Sequence, residues 1–469
     1  MLRDPRITGS SGWWEVWLPL QTRPLTQFSF WANHALGGGS GEANPLPWHL
    51  VNLLLHAVNT WLVWRIAMRM LPSQGAWIAA ALFALHPLQS EPVNYVFARS
   101  TLLMTTFCLL TVWFWLRERT LPALGCFVLA LLAKEECVTL PFALLLLDWA
   151  RGVKLERRKI GTASVMLVAA ALAGLRAVLA TRAMPGSGAG FAAGITPFEY
   201  FRAQGVVIWR YLRLLALPYG FTVDTEVAMP DLWLSALGWA AILGLCVLAY
   251  RKGWYWLLAG FILLIPSSTI FPAEDLAADR RMYFPMFAFA CFLVATRLKT
   301  PVILAILAGL GLISCYRTAF VWSSERALWQ EAVERSPGKV RPRIQLARTL
   351  PVTDATRVLE QASGIAPGDP DVPNELGLIL LRNGRAAESL AAFGRALALN
   401  PSSAMILNNR GVALQELGQS KAAQADFLRA LEKDPCLDDA RRNLALTTGV
   451  SPPEYPRGCP SSPRSSPKD

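Results

Sequence analysis

Apolar residues run along this chain in blocks too long and too unbroken for surface helices. WHLVNLLLHAVNTWLVW (48–64) opens the series, which continues at 76–95, 100–116, 117–134, 137–150, 160–180, 231–250, 255–271, 282–296 and 300–317. A helix needs roughly 20 apolar residues to cross a bilayer. Several of these runs are short for that, and 121–149 reads either as one long helix interrupted by Lys134-Glu135-Glu136 or as two abutting ones. The basic clusters choose. With ten crossings, Arg65/Arg69, Arg117/Arg119, the group Arg151, Lys154, Arg157, Arg158 and Lys159, Arg251/Lys252 and Arg297/Lys299 share one face, which the positive-inside rule makes cytoplasmic. Residues 1–47, 181–230, 272–281 and everything after 317 are then outside. The stretch FRAQGVVIWRYLRLLAL (201–217) differs in kind, because Arg202, Arg210 and Arg213 fall in one sector at ~100° per residue. That predicts a helix lying in the interface with its basic edge toward headgroups. Were it to cross, the sidedness of everything downstream would reverse.

Beyond 337 the pattern turns polar and repeats. NELGLILLRNGRAAESLAAFGRALALNP (374–401) superposes on NNRGVALQELGQSKAAQADFLRALEKDP (408–435) at a shift of 34, pairing Gly377 with Gly411, Phe393 with Phe427, Ala396 with Ala430 and Pro401 with Pro435. This is the tetratricopeptide (TPR) pattern: small residues let two helices pack closely, Phe fills the groove between them and Pro ends each unit. The same shift leads back to Pro367, with Leu346, Ala355 and Ala362 in register, as a degraded earlier repeat. The expected fold is all-α: a polytopic transmembrane helical bundle followed by a TPR α-solenoid. Its expected parts are an extracytoplasmic region at 1–47, a multi-span domain at 48–320, a connecting helix at 321–337, repeats at 338–445 and a disordered Pro/Ser-rich tail at 446–469. Because residues 1–47 fall outside with no apolar run to carry them across, a further span is expected upstream.

Composition strengthens the membrane reading. Of 469 residues, 53% are hydrophobic and 17% charged, with 18 Trp and a mean hydropathy of +0.34, so membrane lipid is an expected partner. The net charge of +12 gathers just beyond apolar runs, where it orients the chain; a nucleic-acid partner is therefore excluded. Six cysteines sit in or beside apolar runs as small hydrophobes, while Cys436 and Cys459 either pair, if that region is exported, or stay free.

Candidate chemistry collects at the outer ends of the runs. His49, Asn52 and His56 share a helix face at i, i+3, i+7, either lining a cavity or bonding across a helix interface. His86, Glu91, Asn94 and Arg99 crowd the next turn, where Glu91 and Arg99 either face a cavity or pair as a staple. Lys134-Glu135-Glu136, the stretch EDLAADRRMYFP (274–285) with Arg280, Arg281 and Tyr283, and Arg23 complete four loops that bring cations to one face. Convergent Arg and Lys at that depth either suit the phosphate or diphosphate of a lipid carrier or snorkel separately to the interface. No ligand spacing for a metal is visible, and no P-loop, dinucleotide fingerprint or nucleophile elbow occurs.

The segments RPLTQFSFWANHALGG, WHLVNLLLHAVN, FALHPLQSEPVNYVFARSTLL, LLAKEECVTLPFALLLLD and AADRRMYFP, with tandem repeats behind them, together resemble the transmembrane and tetratricopeptide-repeat O-mannosyltransferases and their bacterial relatives. The resemblance covers 20–435. It implies a GT-C type glycosyltransferase that moves a sugar, mannose-like, from a polyprenyl-phosphate donor to a protein hydroxyl or glycan, without cofactor or metal. It places this at the periplasmic face of a bacterial inner membrane, with the repeats in the periplasm binding acceptor or partner protein. On the resemblance, His49, His86, Glu91, Arg99 and Glu135 are candidate site residues, and Arg23, Lys134, Arg280, Arg281 and Tyr283 bind the donor phosphate. The general base of that family lies in an acidic pair of the first outer loop, expected upstream of Met1, so the catalytic residue of this chain stays unassigned. Two rivals remain: a membrane-anchored TPR scaffold without catalysis, and a transporter, which would spread polar groups through the bilayer.

Overall fold

The computed structural model describes residues 17, 23–37, 44–154, 156–183, 194–269, 272–273, 275–295 and 300–450. Every regular element among them is helical. The chain divides between Trp322 and Ser323 into two compact units.

The first unit holds α1 (Pro24–Leu36), α2 (Leu46–Ala67), α3 (Ser73–Leu85), the short α4 (Ser90–Asn94), α5 (Arg99–Trp115), α6 (Thr120–Ala133) and α7 (Leu140–Ala150). It continues with α8 (Arg157–Ala183), α9 (Pro197–Ala216), α10 (Leu232–Lys252), α11 (Tyr255–Leu264), α12 (Pro285–Ala295) and α13 (Thr300–Tyr316). Segments Leu46–Ala67, Val96–Trp115, Arg157–Ala180, Leu232–Lys252 and Pro301–Val321 are long and apolar enough to cross a membrane, and shorter apolar helices accompany them. A multi-pass membrane protein fits this set. Its polarity is inverted: Leu172 and Leu179 on α8 and Leu237 and Leu243 on α10 point outward, while Arg99, Asp148 and Lys159 are buried. Lipid accepts the apolar faces, and packing inside depends on close contact rather than on escape from water. At the crossing of α9 and α10 a Cβ on Gly238 would lie 2.1 Å from the Gly205 carbonyl oxygen. The two backbones therefore touch, and only glycine fits.

Residues 121–149 form two helices. Lys134 adopts an extended backbone (φ −164°, ψ 138°), which ends α6, and Pro141 in the first turn of α7 suits a new start. α9 is entered through a capping box, with Thr196 and Glu199 bonding each other's backbone N–H. Its basic edge is not all turned outward: Arg210 pairs with the buried Asp279, while Arg213 donates to the Tyr219 carbonyl at 3.2 Å.

The second unit stacks α14 (Glu325–Arg335), α15 (Arg341–Ala347), α16 (Val352–Ile365), α17 (Asp371–Arg382), α18 (Ala386–Leu399), α19 (Ala404–Glu416), α20 (Ser420–Lys433) and α21 (Asp438–Thr448). A Cβ on Gly377 would sit 2.5 Å from the Phe393 ring, and one on Gly411 2.5 Å from the Phe427 ring. The repeat signature is thus a steric fact: each ring occupies the space that a side chain on the opposing helix would need. In the degraded repeat Leu346, Ala355 and Ala362 are buried at their expected places. α21 runs into the stretch expected to be tail, and Cys459 and residues 451–469 lie outside the described residues, as do Arg297 and Lys299.

Candidate functional site

The loops between the helices bring the charges of the first unit together. Arg23 stands just before α1 in a left-handed conformation (φ 54°), which an L-residue adopts only where its surroundings hold it. Its guanidinium grips Glu135 in a bidentate pair, Nη2 to Oε1 at 2.7 Å and Nε to Oε2 at 3.3 Å. Thr26 fixes the start of α1 to α6 by donating to the Ala133 carbonyl at 2.9 Å. Lys134, turned inward by its extended backbone, bonds Glu136 at 2.9 Å and the Thr101 hydroxyl at 3.0 Å. Burial pushes the Glu135 carboxyl up, but Arg23 more than reverses this and holds it at about 2. Glu136 is likewise pushed up by burial and brought below the usual range by Lys134.

Arg280 joins this group from the turn before α12. It donates from Nη1 to Glu91 Oε1 at 2.8 Å, from its backbone N–H to Glu91 Oε2 at 3.0 Å, and from Nη2 to Asp275 at 3.3 Å. Arg23, Lys134 and Arg280 lie within electrostatic reach of one another. Including Arg210 with Asp279, five cations (Arg23, Lys134, Arg210, Arg280, Arg281) share this end with five carboxylates (Glu91, Glu135, Glu136, Asp275, Asp279) among the described residues. The sequence expectation of cations converging from these loops is met by an equal number of described carboxylates. Arg281 differs from its neighbours. Its guanidinium donates to the carbonyl oxygens of Leu276 at 3.0 Å and Asp275 at 2.6 Å and lies over the Tyr200 ring at 5.9 Å. Among the described residues it makes no hydrogen bond or ion pair to a carboxylate, although Glu136 lies within electrostatic reach.

Other candidates are placed elsewhere. Arg99 is wholly buried, yet it does not staple Glu91. It donates to Asn52 at 3.0 Å, Asn33 at 2.8 Å and the carbonyls of Trp48 at 3.0 Å and Ser29 at 3.3 Å, between the rings of Phe30 and Trp48. With its donors taken up, it clips α1 and α2 to α5. His86 accepts from the Leu88 N–H on Nδ1 at 3.2 Å, so Nε2 carries the proton and donates to the Leu215 carbonyl at 3.2 Å. It is a neutral connector. The shared face of α2 contains Asn52, His56 and Asn59, all buried, whereas His49 is exposed on the first turn. His56 Nδ1 and Asn59 Nδ2 meet the Tyr283 hydroxyl at 2.8 and 3.2 Å. Tyr283 is thus in the core with its hydroxyl engaged, and the structure does not bring it or His49 to the ionic cluster. No group of three potential metal ligands occurs among the described residues.

Sequence reasoning missed a second network at the other ends of α5, α6 and α7. Lys159 is wholly buried and bonds Asp148 at 3.0 Å and Glu118 at 2.8 Å, while the Trp115 indole donates to Asp148 at 2.8 Å. Asp148 stands as the lone charge in FALLLLDWA, a signal that was available. Arg210 with Asp279 was also missed, because a basic edge on an amphipathic helix reads as solvent-facing.

A tetratricopeptide repeat model matches residues 392–425. Protein O-mannosyl-transferase Tmtc2 of Drosophila melanogaster is 37% identical over 179 residues, 35% of this chain and 18% of that protein. Protein O-mannosyl-transferase F38B6.6 of Caenorhabditis elegans is 26% identical over 377 residues, 72% of this chain and 52% of that protein. The chain thus spans about half or less of the length of the curated relatives it matches. Among solved structures, a thermophilic TPR protein of Thermus thermophilus is 19% identical with a TM-score of 0.26, covering 44% of this chain and 97% of that one.

Proposed function

We propose that this chain is an integral-membrane glycosyltransferase of the GT-C type. It passes a mannose-like sugar from a polyprenyl-phosphate donor to a protein hydroxyl or glycan at the periplasmic face of a bacterial inner membrane, and its repeats present the acceptor or a partner protein. The observation that carries this is the ionic cluster assembled from four loops of a helical bundle, in a chain whose relatives are named protein O-mannosyl-transferases. In the reaction the acceptor oxygen bonds to the anomeric carbon and gives up its proton to water, the bond from that carbon to the phosphate oxygen breaks, and the phosphate leaves with the electron pair. A fixed cation beside that oxygen lowers the barrier. Arg281 suits this part, because its guanidinium is held by carbonyl oxygens and bonds no described carboxylate directly. Glu135 and Glu91 hold Arg23 and Arg280 in place. A carboxyl at about 2 is too weak a base to take the acceptor proton, so we give Glu135 a positioning role. The distribution of basic clusters supports the sidedness, and Cys436 is disulfide-bonded, which suits an oxidising compartment for the repeats.

The test is transfer itself. Proteoliposomes holding the chain receive labelled polyprenyl-phosphate mannose and a Ser/Thr-rich peptide, and label is expected in the peptide, falling about 10²-fold in Arg281→Gln. Label that stays on lipid with every protein and glycan acceptor offered defeats the reading and leaves the TPR scaffold.

A further inference from the structure

At the C-terminal ends of α2 and α5, away from the loop cluster, four arginines gather. Arg65 lies in the last turn of α2 and Arg69 just beyond it, and Arg117 and Arg119 follow α5. The two helix ends meet, with Arg69 Nη1 donating to the Leu116 carbonyl at 3.5 Å. Burial, and then the charges of Arg69, Arg65 and Arg119, lower the Arg117 guanidinium below its ordinary value. Arg117 therefore feels the other three. None of the four forms an ion pair with a described residue. The one acid in WLRERTL is Glu118, and its left-handed backbone (φ 60°) accompanies a carboxylate committed elsewhere, to Lys159 at 2.8 Å. The turn thus separates its acid from its two arginines, which leaves like charges facing one another across the helix ends. Repulsion of this kind is relieved by a bound anion.

The surroundings say which anion. Arg65 lies over Trp61 and Trp64 at 5.8 and 5.7 Å from the ring centroids, Arg117 lies over Trp113 at 4.1 Å, and Trp64 packs on Trp77 at 4.8 Å. Trp61 and Trp77 are 50% and 61% exposed. Indoles beside arginines at the end of apolar helices match a headgroup layer, with the rings at the level of the lipid esters and the cations at the phosphates. We propose that this patch binds one phospholipid carrying two phosphates, of the diphosphatidylglycerol (cardiolipin) class, from the leaflet in which α2 and α5 end. Four cations without an acid match two phosphates, and the exposed indoles give the acyl chains a wall. One phosphate held between Arg69 and Arg119 ties the end of α2 to that of α5. The site is at the far end of α5 from the loop cluster and does not depend on the transferase reading.

Native mass spectrometry of the full chain in detergent tests this, with tetraoleoyl cardiolipin, dioleoyl phosphatidylglycerol or dioleoyl phosphatidylcholine added. One cardiolipin is expected to bind about tenfold more tightly than phosphatidylglycerol, and phosphatidylcholine is expected not to compete. Arg69 and Arg119 are exposed, so Arg69→Gln with Arg119→Gln removes charge and no core packing. Cardiolipin should bind that variant roughly 25-fold more weakly, about fivefold for each arginine. Arg251→Gln with Lys252→Gln takes the same charge from the exposed end of α10 and should leave binding within about twofold. Equal weakening by the two double variants would show a diffuse field in place of a site and overturns the proposal. Equal affinity for phosphatidylglycerol overturns the two-phosphate match, and displacement of cardiolipin by an equal concentration of inorganic pyrophosphate overturns the choice of a lipid. Should the arginine variant not fold, a photoactivatable cardiolipin locates the site on the native chain. Label is expected on peptides containing Trp61 to Arg69 and Trp113 to Arg119, and label confined to other helices overturns the assignment.

Discussion

The bundle buries ionic groups at both ends of α5, α6 and α7, and the two networks are built on different terms. At one end Lys159 sits between Asp148 and Glu118, and the Trp115 indole shares the Asp148 carboxylate. At the other, contributions from four loops meet, and Arg281 points its charge at carbonyl oxygens. Each network contains one of the two described non-glycine residues with left-handed backbone, Glu118 (φ 60°) and Arg23 (φ 54°). Both ends therefore store some backbone strain to set a charge in place. What separates them is closure. The network around Lys159 sets its charges directly against one another, Arg151 included at 3.6 Å from Asp148, whereas Arg281 is held by carbonyl oxygens with Glu136 only within electrostatic reach. Buried charge alone does not mark a functional site; the informative feature is a buried cation paired with something other than a carboxylate.

The strongest way to break this comparison is at Lys159. Removing one partner of a buried pair leaves the other uncompensated, at a cost of about 3–5 kcal/mol, while replacing the whole pair by apolar groups is often neutral. Lys159→Met should therefore abolish recovery of folded protein from membranes, and Lys159→Met with Asp148→Leu should restore most of it, as read by monodispersity in detergent and thermal unfolding. A double variant as unstable as the single one would mean that the network does more than compensate itself.

A smaller contrast lies within the loop cluster. Arg280→Met leaves the buried Glu91 carboxylate without its cation, held only by the backbone N–H of residue 280, and should lower stability by about 3 kcal/mol. Arg281→Met orphans two carbonyl oxygens and no carboxylate, and should cost about 1–2 kcal/mol. Transfer is expected to rank the other way, with kcat lost most heavily in Arg281→Met once each variant is normalised to folded protein. If stability and transfer fall in parallel across the two variants, the distinction between a structural and a ligand-facing arginine is lost.

These differences also explain what could be read in advance. The ten apolar runs and the 34-residue repeat were legible because each is a period or a block, visible in one dimension. The charged motifs at 91, 134–136 and 280–281 were legible because charges stand out at the margin of apolar sequence. Pairing was not: Glu91 has Arg99 nearby in sequence but Arg280, 189 residues away, as its partner. Arg210 reads as a headgroup contact until Asp279 is found behind it. Tyr283 sits two residues from Arg281, yet its side chain joins His56 and Asn59 in the core. Adjacent residues on a tight turn point in different directions, and only the turn decides which faces the loops.

The smallest expected effect concerns the Arg23–Glu135 pair, which is partly open to water and so is screened. The folded-state value of Glu135 is about 2 against an ordinary 4.5. A lowered carboxyl value means that the stabilisation is complete above about 4.5 and is lost as pH falls through about 2. The melting temperature of the native protein relative to Glu135→Gln should accordingly stay level from about pH 8 to about pH 5 and narrow only under more acidic conditions. A gap that already closes between about pH 7 and about pH 6 would show that Glu135 titrates near neutrality. It would then have the basicity to take a proton from an acceptor hydroxyl, and the loop cluster would hold a candidate base as well as an arginine bonded only to carbonyl oxygens.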